Sequence, residues 1–373
     1  MSISSSTPSY DFTVSPDNKQ GLIYQLYVQE RSPNIVTLQH YAKDRDAYAA
    51  QVKLENRNAK LVKISFPITM EFSVVRAPLL GSNKTSIKLY NLNDETRERI
   101  SKYRASDNPY RYVELQVGYS GIFRYFVPPE GFPVVARGYL NTCTSIKEGT
   151  DIITTIEFYG CYEMLQRDLM GTKAVSSIGT ISGGTTFEKT IEILAQVFDK
   201  YDDRLNRLRF SARARLLLSN YRLPRSLTPG ANVVDMINQV LQGRCKLIFD
   251  GPQIYVIAEN EHIRSSGKVN KITSSSGLLS VPVMESPSII SFDIIFEPRF
   301  IIFQQLSIES DIFLEIAKNS LDGDCQGKIV SIAHSGVVSG SVTSKVVTKI
   351  TMVISADSQE ALMGYSPEEG GRH

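Results

Sequence analysis

Residues 85–119 read TSIKLYNLNDETRERISKYRASDNPYRYVELQVGY, and the fold is decided here. Ser86, Lys88 and Tyr90 alternate with Ile87 and Leu89, the period of two expected of a strand buried on one face. Asn91 and Asn93 follow as turn and N-cap residues, because a short side-chain oxygen accepts from the free N–H groups of a first helical turn. Asp94 and Glu95 stand where the helix dipole favours negative charge, and Arg97 and Arg99 toward the end that favours positive charge. The pattern predicts a helix over Asp94–Tyr103. After the polar loop 105–109, Val113, Leu115 and Val117 alternate again up to Gly118. Strand, short helix, strand is a device for building a barrel wall, and nothing in it is chemistry.

Outward from this stretch the same period recurs. Leu22, Tyr24, Leu26 and Val28 share one face of a first strand, and Ile35–Tyr41 continues extended. Asp44–Asn58 is more polar and holds a short helical run at Ala47–Ala50. Ile64, Phe66, Ile68, Met70, Phe72 and Val74 alternate without a break over Lys63–Val75, which reads as one long strand with Pro67 at an edge or bulge. A Gly/Pro-rich insertion, 120–133, precedes strands at Val134–Leu140 and Ile152–Phe158. Consecutive antiparallel strands with one embedded helix are most economically closed into a barrel, which removes exposed edges.

The period changes at Tyr162. Thr186 is positioned to cap a helix over Phe187–Tyr201, a second helix is expected at Ala231–Leu241 with Gly243 as its stop, and Asp250-Gly251-Pro252 turns a hairpin within Cys245–Ile257. Lys268–Ser280 reads as a linker, after which strands return at Ile289–Phe296, Phe300–Ile308, Lys328–His334 and Lys345–Ile354. The expected fold is therefore β-rich α+β: two antiparallel β-barrel domains with a small α+β middle module. The divisions are 1–18, a loose N-terminus; 19–161, the first barrel; 162–265, the middle module; 266–355, the second barrel region; and 356–373, a loose tail.

Composition bounds function. The chain has 373 residues, 42% hydrophobic and 21% charged, with a formal net charge of +2, which lacks the basic excess of a nucleic-acid binder. Its first residues, MSISSSTPSYDF, have no secretory pattern, and no apolar run approaches the ~20 residues of a membrane helix, so synthesis in the host cytoplasm is expected. Cys143, Cys161, Cys245 and Cys325 are too scattered for a zinc site or a disulfide framework and read as small buried hydrophobes. Motifs of zinc proteases, serine hydrolases and nucleotide loops are absent. Gly183-Gly184 lacks a phosphate-reaching lysine, and Asp322 and Asp324 begin a calcium-like series that fails at Gln326 and Ala333. His334 sits in a strand without a nucleophile or orienting partner, so a hydrogen bond inside the barrel is its expected role. No catalytic, cofactor-binding or metal residue is expected. One charge feature stands out: Arg204, Arg207, Arg209, Arg213, Arg215, Arg222 and Arg225 fall within 22 residues, among leucines and Tyr221. This is either a solvated face or a docking surface for an acidic partner.

TSIKLYNLNDETRERI, VELQVGYSG, the strand Arg137-Gly138-Tyr139-Leu140 and EGTDIITTIEFYGCYEML resemble, in that order, the Mu-like tail hub family of baseplate proteins from contractile-tailed bacteriophages. Further on, LPRSLTPGANVVDMINQVLQGRCKLIFDGPQIYVI, SSSGLLSVPVMESPSIISFDIIFEPRF and GKIVSIAHSGVVSG with SKVVTKITMVI are similar to its later segments. Cys161, Cys245 and Glu297 depart from the family's usual aspartate, aromatic and asparagine. The resemblance covers about Ser65 to Ile354 and carries no catalytic residue. It implies a virion protein: a homotrimeric ring whose six barrels adapt a six-fold tail tube to a three-fold spike. The implied partners are the spike or puncturing protein, the tube or tube-initiator protein, surrounding baseplate proteins and the tape-measure protein, without a membrane segment or specific nucleic-acid binding. Asp94, Glu95, Arg97 and Arg99, with Arg204, Arg207, Arg209, Arg213 and Arg215, are then the candidate interface residues. A tail-tip cell-wall hydrolase and a tube-initiator subunit remain as alternatives.

Overall fold

The computed structural model describes residues 21–31, 60–78, 83–102, 111–119, 132–162, 179–199, 207–228, 233–250, 253–258, 270–286, 288–309, 325–340 and 345–354. The expected strand at Ile35–Tyr41, the short helix in Asp44–Asn58, most of the 120–133 insertion, Arg204, the Asp322–Asp324 turn and both chain ends lie outside them.

The first β region pairs in the order β2(Leu61–Ser65), β1(Leu22–Gln29), β5(Tyr112–Tyr119), β6(Val134–Glu148), β7(Asp151–Gly160), β4(Lys84–Tyr90), β3(Met70–Arg76), every neighbour antiparallel. The path begins and ends on one chain segment, 61–76, because the expected long strand is broken into β2 and β3. The peptide before Pro67 is cis, and Pro67 has no N–H to give a ladder. The two ends of this path are thus joined by the covalent chain at Phe66–Thr69, with no ladder between β2 and β3. Its interior holds Tyr24, Leu26, Ile64, Met70, Phe72, Ile87, Leu89, Val113, Leu115, Ile156 and Phe158. The alternation survives the break because Ile64 and Met70 both face this interior.

The embedded helix α1(Asp94–Ile100) is capped by Asn93, whose side chain accepts from the Thr96 N–H at 2.8 Å. Asn91 adopts a left-handed backbone (φ 57°) and its amide group ties Asp151 and the Ile152 N–H. Leu92 and Ile100 enter the core of the first β region, each such burial being worth ~1.5–3 kcal/mol. The helix is shorter than expected. Ser101 turns extended and Lys102 bridges to Cys143 in β6.

The middle module stacks α2(Phe187–Asp199), α3(Ala212–Asn220) and α4(Val233–Leu241) on a three-stranded sheet, β8(Arg207–Phe210), β10(Gln253–Ala258), β9(Cys245–Asp250). Period two divides that sheet between two cores. Cys245, Phe249, Ile254 and Val256 pack with the helices, while Ile248 and Ile257 on the opposite face join the second β region. The helix α3 was not expected from the sequence. Thr186 caps the start of α2 as expected, with the Lys189 N–H on its hydroxyl at 3.3 Å.

The second β region comprises β11(Asn270–Ile272), β12(Val283–Ser286), β13(Ile289–Ile295), β14(Gln305–Ile308), β15(Cys325–Val338) and β16(Lys345–Ile354). The expected linker 268–280 instead supplies β11 and a 3₁₀ turn at Ser274–Ser276 closed by a capping box with Thr273. The expected strand Phe300–Ile308 is reduced to β14, since Phe303 takes a left-handed conformation (φ 64°). The strand β15 has β16 along one edge. Its other edge pairs first with β14 and then, from Ile332 to Val338, with β3 from Arg76 to Met70. The two β regions therefore belong to one 13-stranded sheet, whose main path runs from β12 to β2 and which branches at β15 through β14 to β11. The β-rich α+β class holds. Two separately closed barrels are not formed by ladders among the described residues, because β15 continues the first region's sheet across to the second.

Candidate functional site

Three places concentrate polar groups. The first is α1. Arg97 pairs with Asp94 one turn earlier, and Arg99 reaches Glu30 at the end of β1 at 2.9 Å, with Glu95 at 3.8 Å. The hydrogen bond from Arg99 holds the Glu30 carboxyl below its ordinary range. Asp94 and Glu95 stay highly exposed, whereas Arg99 is engaged in fastening the helix to the strand beneath it. Below the helix lies Arg111, 1% exposed, whose guanidinium donates to the carbonyls of Gln29 (2.9 and 3.1 Å), Ile100 (3.0 Å) and Ser101 (2.8 Å), with the Arg99 carbonyl at 3.4 Å. Sequence reading missed it. Its burial depends on carbonyls distant in the chain, and only an arginine interrupting an apolar strand start hinted at it.

The second is the arginine-rich stretch, which the fold divides. Arg209 faces the same side of β8 as its partner Tyr255, the face turned to the second β region. Arg207 lies in β8 opposite Gln253. Arg213 and Arg215 are exposed on α3, where Arg215 pairs with Glu188 of α2 at 3.0 Å. Arg222 donates to the Gly184 carbonyl at 2.9 Å, and Arg225 is exposed on the same ribbon. Arg213 and Arg215, two positions apart on the helix, flank its buried Ala214–Leu218 face on opposite sides, and Arg209 belongs to the sheet, so the stretch is not gathered into one patch.

The third is a cleft of about 320 Å³ where the three cores meet, lined by Arg76, Arg137, Arg299, Asp250, Tyr255 and Cys161 among others. Each arginine is neutralised. Arg76 from β3 forks onto Asp250 of β9 (2.6 and 2.8 Å), Arg137 meets Glu114 at 2.6 Å, and Arg299 meets Glu297 at 2.6 Å. Burial pushes the Glu114 carboxyl up, but hydrogen bonds from Tyr112 and Gln116 and the charge of Arg137 outweigh this and leave it below the ordinary value. The arrangement is a set of satisfied ion pairs, of which Arg76–Asp250 locks β3 to the middle module, and it presents no nucleophile with a base.

His334 lies beside this junction, fully buried on β15, with Nδ1 2.9 Å from the Thr348 hydroxyl and its ring edge-on to Phe296 at 5.4 Å. This is the internal hydrogen bond expected of it. Desolvation, followed by the charge of Arg76, lowers its pKa to about 3 from an ordinary 6.5. A depressed histidine pKa means that the unfolded chain binds a proton the folded chain refuses. Stability is therefore complete above pH 6.5 and falls as pH drops toward 3, by up to ~1.4 kcal/mol per unit. Between pH 6.5 and 4.5 the lowered carboxylates Glu30 and Glu114 do not yet contribute, since their ordinary value is 4.5. Denaturant titrations at pH 7 and pH 5 should differ by ~2 kcal/mol, and the difference should vanish in His334→Asn if that variant folds at pH 7.

The four cysteines are free and buried, and burial pushes the Cys143 thiol up to about 12. Among the described residues no group of three or more His, Cys, Asp or Glu is arranged to hold a metal, and no helix is long and apolar enough to cross a membrane.

No protein-family model and no curated protein matches the sequence. The fold is similar to those of several solved structures. One is the prophage MuSo2 43 kDa tail protein from Shewanella oneidensis, at 10% identity and TM-score 0.47, covering 81% of this chain and 95% of that one. Another is the tail protein from Neisseria meningitidis MC58, at 8% identity and TM-score 0.46, covering 81% and 96%. A chain of the Francisella PdpA-VgrG complex is similar over 90% of this chain and 53% of its own length, at 10% identity and TM-score 0.47.

Proposed function

We propose that this chain is a structural hub protein of a phage tail baseplate, assembling as a trimeric ring between a six-fold tail tube and a three-fold central spike. The observation that carries the reading is the joint between β3 and β15, which sets two β cores side by side in one chain. Three copies of such a chain present six cores, which is the arithmetic a three-to-six adaptor requires. The ordered sequence segments from Ser65 to Ile354 point the same way. In this reading the chain divides at 19–161, 162–265 and 266–355, with the middle module bracing both β regions through the two faces of its sheet. The spike, tube or tube-initiator, surrounding baseplate and tape-measure proteins are its partners in the virion. Asp94, Glu95, Arg97 and Arg99, together with Arg204, Arg207, Arg209, Arg213 and Arg215, are its candidate contacts. The role is mechanical and needs no catalysis.

Electron microscopy of the purified chain, alone and co-expressed with a trimeric tail-spike protein, tests the proposal. Three-fold rings that co-purify with the spike are expected. Six-fold rings or tubes would replace it with a tube-initiator role, and a strict monomer without affinity for the spike would overturn it.

A further inference from the structure

One side chain crosses between the two β cores. Ile294 of β13 packs in the core of the second β region, and two residues later Phe296 is fully buried in the core of the first. Its ring stands edge-on to Phe72 of β3 (centroids 6.4 Å apart, 80° between planes) and tilted against Tyr119 of β5 (6.1 Å, 56°). From β15 of the second region, His334 meets it at 5.4 Å. Directional hydrogen bonds hold the backbone at the same point. The Tyr119 hydroxyl donates to the Phe296 carbonyl at 3.1 Å, and the Glu297 N–H donates to the Thr348 hydroxyl of β16 at 3.0 Å. Val338 of β15 and Val346 of β16 enter the first core as well. The ladder between β3 and β15 fixes how far apart the two regions lie but leaves their angle soft, since neighbouring strands twist by about −10 to −35°, a play of about 25°. A ring supplied by a third segment, with neighbours in both regions, removes that play. Any apolar residue would fill the volume, but aromatic edges also prefer particular mutual orientations.

We propose that Phe296 is a positioning residue: it pins the two β regions at one angle, so that the chain meets its neighbours as a rigid body. What the angle serves rests on the hub reading, in which six cores from three copies are evenly spaced only if each pair is set alike. The pin itself stands on its contacts alone.

Distance distributions between spin labels test it. Ile146→Cys in β6 and Val283→Cys in β12 place one exposed thiol on each β region, and the four native cysteines are buried. The doubly labelled chain is diluted with excess unlabelled chain, so that only distances within one chain are read. With Phe296 in place a single narrow distribution is expected. Phe296→Ala should widen it at least about twofold. Phe296→Leu, which leaves a smaller cavity but no ring edge, should fold more readily and widen it by less. Ile156→Ala is the control: it lies in the same core on β7, with β4 between it and β3. It should lower the thermal midpoint comparably and leave the distribution narrow. A narrow distribution in both Phe296 variants would overturn the pin, and so would equal widening in Ile156→Ala. Widening accompanied by unaltered three-fold rings would keep the pin and overturn its service to the ring. A wild-type chain that stays monomeric at high concentration would overturn the hub reading and leave the pin standing.

Discussion

Replacing Gly138 by alanine is expected to eliminate the folded, soluble chain. Gly138 lies in the middle of β6, paired with Val113 of β5 on one side and Gly160 of β7 on the other. A Cβ at this position would stand 1.9 Å from the Tyr159 carbonyl oxygen and 3.0 Å from the Phe158 ring. Neither ladder can retreat, because each is held by its other neighbour, so the clash has to be relieved by tearing pairing apart. We expect a loss above ~4 kcal/mol, in the range where single substitutions become exceptional. Gly149→Ala is the control: its glycine is left-handed (φ 61°) with nothing within 4 Å, and only the backbone penalty of ~1–2 kcal/mol is expected. Soluble yield at 18 °C and the urea midpoint separate the two. A Gly138→Ala chain with a wild-type midpoint would show that the β6–β7 approach is looser than described.

Arg111→Met should cost ~3–5 kcal/mol. Methionine fills most of the volume but donates nothing, so the carbonyls of Gln29, Ile100 and Ser101 lose charged donors in a site closed to water. Each buried group left unpaired costs ~1–3 kcal/mol, and part of that is recovered by relaxation. Arg111→Lys keeps the charge but not the fork, and should restore less than half. Because the same guanidinium holds the end of α1 to the end of β1, amide exchange in Asp94–Ile100 should accelerate in the methionine variant before the barrel strands respond. Uniform acceleration throughout the sheet would show that the helix has no separate anchorage.

What the sequence revealed and what it hid follow from the range of the forces involved. The alternations at Leu22–Val28, Ile87–Leu89 and Lys345–Ile354 were legible because burial on one face is written locally. The N-cap at Asn93 and the hairpin joining β9 to β10 were legible for the same reason. The helix α3 was not, since ARARLLLSN has three consecutive leucines and only Ala214 and Leu218 fully buried, which blurs the helical period; its N-cap Ser211 was the usable signal. Pro67 was legible as an edge or bulge, but the unbroken alternation on either side of it concealed that it divides two strands. Of the candidate contacts, charge type could be read but not placement. The division of the arginines between β8 and α3, and the engagement of Arg99 by Glu30, depend on partners tens of residues away.

The pairing of β3 with β15 also has a consequence in time. Met70 meets Val338 and Arg76 meets Ile332, so roughly 260 residues separate the two halves of the joint. At ~5–20 residues per second, β3 leaves the ribosome about 13–50 s before its neighbour exists. Throughout that interval an apolar strand margin stands open in a crowded cell. Added chaperone should therefore raise yield more when synthesis is slowed between Arg76 and Ile332 than when it is slowed after Val338.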